Sequence, residues 1–228
     1  MSENRAGNPW DAHWSGGEGE VPPQRAEARR VADGLRRLID ALVATQAPAE
    51  VLARAADALE RAVEVFAGYG QALSNEGFME TANSGDPHAF FDRSPVIGRS
   101  NPLAPPVEVE IHDGRVIGRA VFGSAYEGPP MCVHGGYVAA AFDEVLGMTQ
   151  SLSGAPGMTA NLTVNYRKPT PLYQELRFEG ELVRVEGRKI FTEGRVRRAD
   201  GEITAEAEGL FISVNLAKFA ALQRGEDT

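Results

Sequence analysis

One cysteine stands in the whole 228-residue chain, Cys132. An intrachain disulfide is therefore excluded, and this usage fits a reducing compartment, so a cytoplasmic setting is expected. No arrangement of His with Asn or Asp that would activate Cys132 as a nucleophile can be placed around it. Basic residues are in deficit: 23 Lys and Arg against 32 Asp and Glu leave a formal charge of −9. Nucleic acid wants a basic face, so this balance argues against such a partner. No apolar run approaches bilayer-spanning length, and no membrane partner is expected. The first residues lack a basic segment followed by an apolar one, and no secretory leader is expected. There is no G-x-G-x-x-G, no P-loop and no cluster with metal-ligand spacing. Nucleotide hydrolysis and dinucleotide redox chemistry thus find no support, and no metal is expected.

What is present divides the chain in order. Residues 1–23 are rich in Gly, Asn, Glu and Pro and read as a disordered tail, with Trp10 and Trp14 unusual in it. Residues 24–70 read as a helical hairpin. Val31, Leu35, Leu38, Ile39 and Leu42 fall at spacings of four, three, one and three, one apolar stripe. Leu52, Ala55, Leu59, Val63 and Phe66 make a second stripe after Pro48, and the short break between them implies antiparallel helices. Residues 71–106 hold many Gly, Pro, Asn and Ser and read as an irregular connection, in which Phe90 and Phe91 pack on the domain. From Val107 apolar and polar residues alternate. Asp113-Gly114 and Asp200-Gly201 are hairpin turns between strands. Strand, helix, then a run of antiparallel strands implies an α+β domain over 107–215, with one sheet wrapped around one central helix. Residues 216–228 read as a short helix and tail.

The central helix is the organising stretch. After His134-Gly135-Gly136 the chain runs without a breaker to Gly147, with Tyr137, Val138, Ala141, Phe142, Val145, Leu146 and Met148 almost all the way round. A helix this apolar is buried. Asp143 sits in its middle, and a carboxylate there demands a partner, so it is the candidate catalytic residue. Glu144 points about 100° away and is the better candidate for a solvated acid. Two glycines at a helix start remove side chains where backbone N–H groups are unpaired, and such donors can hold a developing oxyanion. Glycines alone would equally serve a tight turn. Gly136 and Asp143 lie two helical turns and about 10 Å apart. One helix cannot readily put both on one reacting atom; two copies antiparallel across a two-fold axis can, which makes a homodimer part of the chemistry. His134 supports the turn or positions substrate, with general base as the alternative role. The Thr159 hydroxyl could orient a water. Arg167-Lys168 and Arg188-Lys189 are basic pairs at strand ends in an acidic chain, and they suit the phosphates of a nucleotide-bearing thiol carrier as well as they suit solvent.

At this point the residues resemble a family. His134-Gly135-Gly136 with Asp143 is similar to the helix signature of hotdog-fold acyl-CoA thioesterases of the phenylacetic-acid-pathway type. Met158-Thr159-Ala160-Asn161-Leu162 through Tyr166-Arg167-Lys168-Pro169 resembles the following strand, and Val185-Glu186-Gly187-Arg188-Lys189 a later turn. The likeness is strongest to the thioesterase superfamily member 4 and 5 subgroup, which acts on fatty acyl-CoA, and covers roughly Val107 to Asn215. It implies a hotdog fold with an N-terminal helical extension and a dimer, or dimer of dimers, forming a continuous sheet. It implies hydrolysis of acyl-CoA to free acid and CoA, with CoA entering only as part of the substrate. Asp143 would activate water or attack the thioester, the Gly135 N–H would polarise the carbonyl, and His134 and Thr159 would assist. Gly136, Asn161, Arg167, Lys168, Arg188 and Lys189 would meet the CoA portion. Rival readings are a non-catalytic acyl-CoA or acyl-carrier binding module and a hotdog hydratase or dehydratase.

Overall fold

A computed structural model describes residues 20–69, 91–105, 107–155 and 157–214. Two helices, α1 (Pro23–Ala44) and α2 (Ala49–Glu64), precede the strand-bearing part. There β1 (Glu108–His112) and β2 (Arg115–Val121) form a hairpin, followed by a 3-10 turn at Ser124–Tyr126 and by α3 (Gly135–Ser151). Then come β3 (Gly157–Tyr166), β4 (Glu175–Glu186), β5 (Lys189–Arg198) and β6 (Ile203–Ser213). The six strands make one antiparallel sheet in the order β1-β2-β4-β5-β6-β3. The expected α+β hotdog architecture is what the chain adopts, with strand ends within one or two residues of the alternation in the sequence. The hairpin turns fall where Asp-Gly predicted them, with Asp113, Gly114 and Gly201 at positive φ.

The sheet curls around α3, and the core lies between them. Val138, Ala141, Phe142, Val145 and Leu146 of α3 are buried against Val116, Leu176, Phe178, Ile190, Val196 and Phe211 of the strands. Each large apolar side chain so buried contributes on the order of 2 kcal/mol. The helix approaches closely because the strands carry glycine beneath it. A Cβ on Gly118 would lie 2.9 Å from Val145 Cγ2, and one on Gly194 3.0 Å from Leu146 Cδ2.

α1 is tied to the domain by three polar anchors. Arg29 pairs with buried Asp92 at 2.8 Å, and Ser100 Oγ donates to the same carboxylate. Arg36 donates to the backbone carbonyls of Arg99 and Asn101 at 2.8 Å each. Asp40 reaches the 3-10 turn. The expected antiparallel packing of α2 on α1 needs correction, because α2 buries none of its residues. Leu52, Leu59, Val63 and Phe66 are all exposed, as is the end of α1 at Leu42 and Val43. A 3.6-residue apolar stripe shows that a helix has a face to bury, not that its chain neighbour buries it. Phe91 packs on the core as expected. Trp10, Trp14, Phe90 and the predicted helix over 216–223 lie outside the described residues.

Candidate active site at the start of the central helix

The helix start is built by His134. Its φ of −59° and ψ of 132° make it the N-cap of α3, and its Nδ1 accepts a hydrogen bond from the Gly136 N–H at 3.0 Å. A neutral imidazole whose Nδ1 accepts carries its proton on Nε2, so the outer edge of the ring is a donor. The His134 N–H is held by the Tyr126 carbonyl at 2.8 Å. That leaves Gly135. Its N–H, the first of the helix, meets no acceptor among the described residues, while Gly136 has spent its donor on the ring. Only one of the two glycines predicted to be electrophilic therefore offers a free N–H, at the positive end of a 17-residue helix.

The other side of Gly135 is fixed by a residue that sequence reasoning named only as part of a motif. Tyr166 Oη donates to the Gly135 carbonyl at 2.7 Å. Its ring lies so near that a Cβ on Gly135 would stand 3.2 Å from Cζ. The period of two along β3 carries the signal for this: Tyr166 shares the inner face with Leu162 and Val164.

Asp143 lies eight residues along α3 and accepts a hydrogen bond from Thr159 Oγ at 2.8 Å. The partner that a mid-helix carboxylate demands is therefore Thr159, whose hydroxyl was expected to orient a water and instead donates to Asp143 itself. The predicted burial is not observed. Asp143 is exposed in the single chain, on a seam of α3 with Gly136, Ala140 and Gly147. Glu144, expected to be the solvated acid, is the shielded one. Burial pushes its carboxyl up to about 7; the Asp143 charge adds to the rise, and a hydrogen bond from Ser94 opposes it. The cause is the 91–105 segment, which lies over that side of α3.

This makes a stability prediction. The folded value of about 7 lies above the ordinary 4.5. Between them the unfolded chain has lost the proton while the folded chain keeps it, so stability falls as pH rises through that window and is level above it. Glu144→Gln removes this slope. In thermal melts the variant should exceed wild type by roughly 5 °C at pH 8 and match it near pH 4. The same difference at both pH values would contradict this account of Glu144.

The remaining predicted site residues are not brought together in one chain. A register shift between Thr159 and Asn161 keeps Thr159 toward α3 while Asn161 lines an outer-face groove with Thr163, Phe191, Glu193, Glu208 and Leu210. Arg167 pairs with Glu206 at 2.8 Å and Lys168 pairs with Glu202, all near the end of β3. Arg188 donates to the Ser213 carbonyl at 3.1 Å, and the Lys189 ammonium meets no partner among the described residues. These two lie at the opposite end, where Ser213 pairs with Gly157. Among the described residues no group of three or more His, Cys, Asp or Glu could hold a metal, and no helix is long and apolar enough to cross a membrane.

A six-stranded antiparallel sheet wrapped on a helix that opens with His-Gly-Gly defines a hotdog domain, and comparison with known proteins agrees. The thioesterase superfamily profile matches residues 132–205. A crystal structure of a thioesterase superfamily protein superposes with a TM-score of 0.73 at 36% identity, covering 87% of this chain and 94% of that one. The chain belongs to the thioesterase superfamily. Among curated proteins, acyl-coenzyme A thioesterase THEM4 of Bos taurus is 38% identical over 97 residues, which are 42% of this chain and 40% of that protein. Acyl-coenzyme A thioesterase THEM5 of Homo sapiens is 30% identical over 95 residues, 41% of this chain and 38% of that protein. The match thus spans about two fifths of the length of these curated relatives.

Proposed function

We propose that the chain hydrolyses acyl-CoA thioesters to free acid and CoA, as a homodimer whose two copies share each active site. The observation that carries this reading is the pairing, on one helix, of a free N–H at Gly135 with a carboxylate at Asp143 held by Thr159. In the reaction Asp143 takes a proton from water as the water oxygen attacks the thioester carbonyl. The Gly135 N–H holds the oxyanion, which collapses to the free acid as the C–S bond breaks, and the CoA sulfur takes up a proton. CoA enters only as part of the substrate. The relatives named as acyl-coenzyme A thioesterases support this substrate class.

The dimer follows from distance and from edges. Gly135 and Asp143 stand about 12 Å apart along one helix, too far to act on one carbonyl. The two ends of the sheet differ. β1 is five residues long and carries Glu108 and Glu110, features that blunt an edge. β3 is ten residues long, uncharged and free of proline, and it is the other edge. Two β3 strands pairing antiparallel about residues 162 and 163 set Thr159 of one copy opposite Tyr166 of the other. That places Asp143 beside the second copy's Gly135. The same pairing sets Arg167 and Lys168 near the second copy's Arg188 and Lys189, a basic cluster for the CoA phosphates. The ion pairs of Arg167 and Lys168 are exposed and worth no more than about 1 kcal/mol each, so a phosphate can displace them. A reducing, cytoplasmic setting belongs to the same reading. A dimer of dimers is compatible with it and adds nothing to the chemistry.

The experiment is free-thiol release from a panel of short, long and aromatic acyl-CoAs, by wild type and by mixed dimers. Asp143→Asn and Gly135→Pro chains should each be inactive alone. Mixed one to one and reassembled, they should recover about a quarter of wild-type activity, because half the dimers are mixed and each holds one intact site. No recovery would place the site within a single chain. Binding without thiol release by wild type would make this a binding module.

A further inference from the structure

We propose that Asp40, on the N-terminal helix α1, is a positioning residue for the turn that presents the Gly135 N–H. The inference rests on the thioesterase reading of that turn, and its test separates the two.

The 3-10 turn Ser124–Tyr126 begins at Gly123, which has no side chain to cap it. The cap comes from 84 residues away. Asp40 Oδ1 accepts the Ala125 N–H at 3.1 Å, and Ser124 Oγ lies 3.1 Å from both that oxygen and the Asp40 carbonyl. The carboxylate fills the place of the missing side chain: a Cβ on Gly123 would stand 2.5 Å from Asp40 Oδ1. A carboxylate at unpaired N–H groups is the arrangement that caps helices within a chain segment, here supplied by another element.

The capped turn then holds the site. Tyr126 is buried; its Oη donates to the Leu103 carbonyl at 3.1 Å, and burial pushes its hydroxyl up to about 12, so it stays a neutral donor. Its ring meets the Tyr137 ring edge-on at 4.9 Å, and Tyr137 in turn faces the His134 ring at 6.4 Å. Its carbonyl accepts the His134 N–H at 2.8 Å. His134 is one residue before the free donor and its φ and ψ aim the peptide that carries it. Asp40 hydrogen-bonds this turn directly, whereas Arg29 hydrogen-bonds Asp92 and Arg36 hydrogen-bonds the carbonyls of Arg99 and Asn101, with only a charge effect on Tyr126. Asp40 touches no reacting atom, so any effect must pass through the geometry of residues 124–135.

The test compares Asp40→Ala, Asp40→Asn, Ser124→Ala and Arg36→Ala in the full-length chain. Asn keeps an acceptor oxygen for Ala125 and Ser124, whereas Ala does not. Asp40→Ala should lower kcat for thiol release by about 10-fold with KM moved less than about two-fold, since a misplacement well under 1 Å suffices for such a loss. Asp40→Asn should restore most of it, Ser124→Ala should lose part of it, and Arg36→Ala should stay near wild type. The amide resonances of His134 and Gly135 should move in Asp40→Ala and return in Asp40→Asn. Equal losses in Arg36→Ala and Asp40→Ala, no rescue by Asn, or unmoved Gly135 and His134 amides would overturn the proposal. Should wild type release no thiol from any acyl-CoA, the thioesterase reading fails, and the amide shifts alone decide the role of Asp40.

Discussion

Asp143→Asn should lower kcat for thiol release from the best acyl-CoA by about a thousand-fold, the middle of the range for removing a general base. KM should move less than about three-fold, because the carboxylate meets a water or the thioester carbonyl rather than the body of the substrate. The substitution isolates the chemistry. Asn keeps an oxygen to accept from Thr159 Oγ, the bond that now holds Asp143 at 2.8 Å. It keeps the volume at a position exposed in the single chain and takes one negative charge away from Glu144, so thermal stability should not fall. What it removes is the capacity to take a proton or to attack. Thr159→Val is the companion change: the carboxylate stays but loses its orienting donor, and a smaller fall, about 10-fold, is expected. Turnover undiminished in Asp143→Asn would end the assignment of Asp143 and turn attention to Glu144, the other carboxyl within reach of α3. A loss matched by failure to bind acyl-CoA would make Asp143 a binding residue instead.

The sequence made the core domain legible because each element there has a strong local signal. Alternation gave the strands, Asp-Gly the turns, and a breaker-free apolar run gave α3. Two parts of the site were equally open to reading: the unpaired N–H groups at a helix start and the spacing from Gly136 to Asp143. The failures share one cause, contact between distant segments. Asp143 and Glu144 are neighbours with the same chemistry, and nothing local says which one residues 91–105 will cover. Asp40 reads as one acid among several on a solvated helix face; its value comes from Gly123, 83 residues on, having no side chain. The stripe of α2 was legible as a stripe but not as an exposed one. The two basic pairs looked like one set and lie at opposite ends of β3, joined only if a second copy reverses the strand.

The free N–H of Gly135 can be removed without removing the helix. Gly135 is the first residue of α3, the position where proline is best tolerated because its missing N–H has no helical partner. The residue before a proline is pushed to extended backbone, and His134 already stands there at ψ 132°. Gly135→Pro therefore deletes one donor at a site prepared for it. Its ring also adds a Cβ, and that atom would crowd Tyr166 at 3.2 Å. Gly135→Ala adds the same Cβ and keeps the N–H, so the comparison between the two variants cancels the crowding. Ala should cost only a few-fold, through a small displacement of the exposed Tyr166 ring. Pro should lie a further 10²- to 10³-fold below Ala in kcat, the loss seen when one oxyanion donor is removed. That fall corresponds to about 3–4 kcal/mol of transition-state stabilisation. KM should be little changed, since the donor is aimed at charge that develops only as the carbonyl is attacked. If Pro and Ala were equally active, the oxyanion would have another donor, and the Nε2–H that His134 presents at the edge of the turn would be the one to remove next.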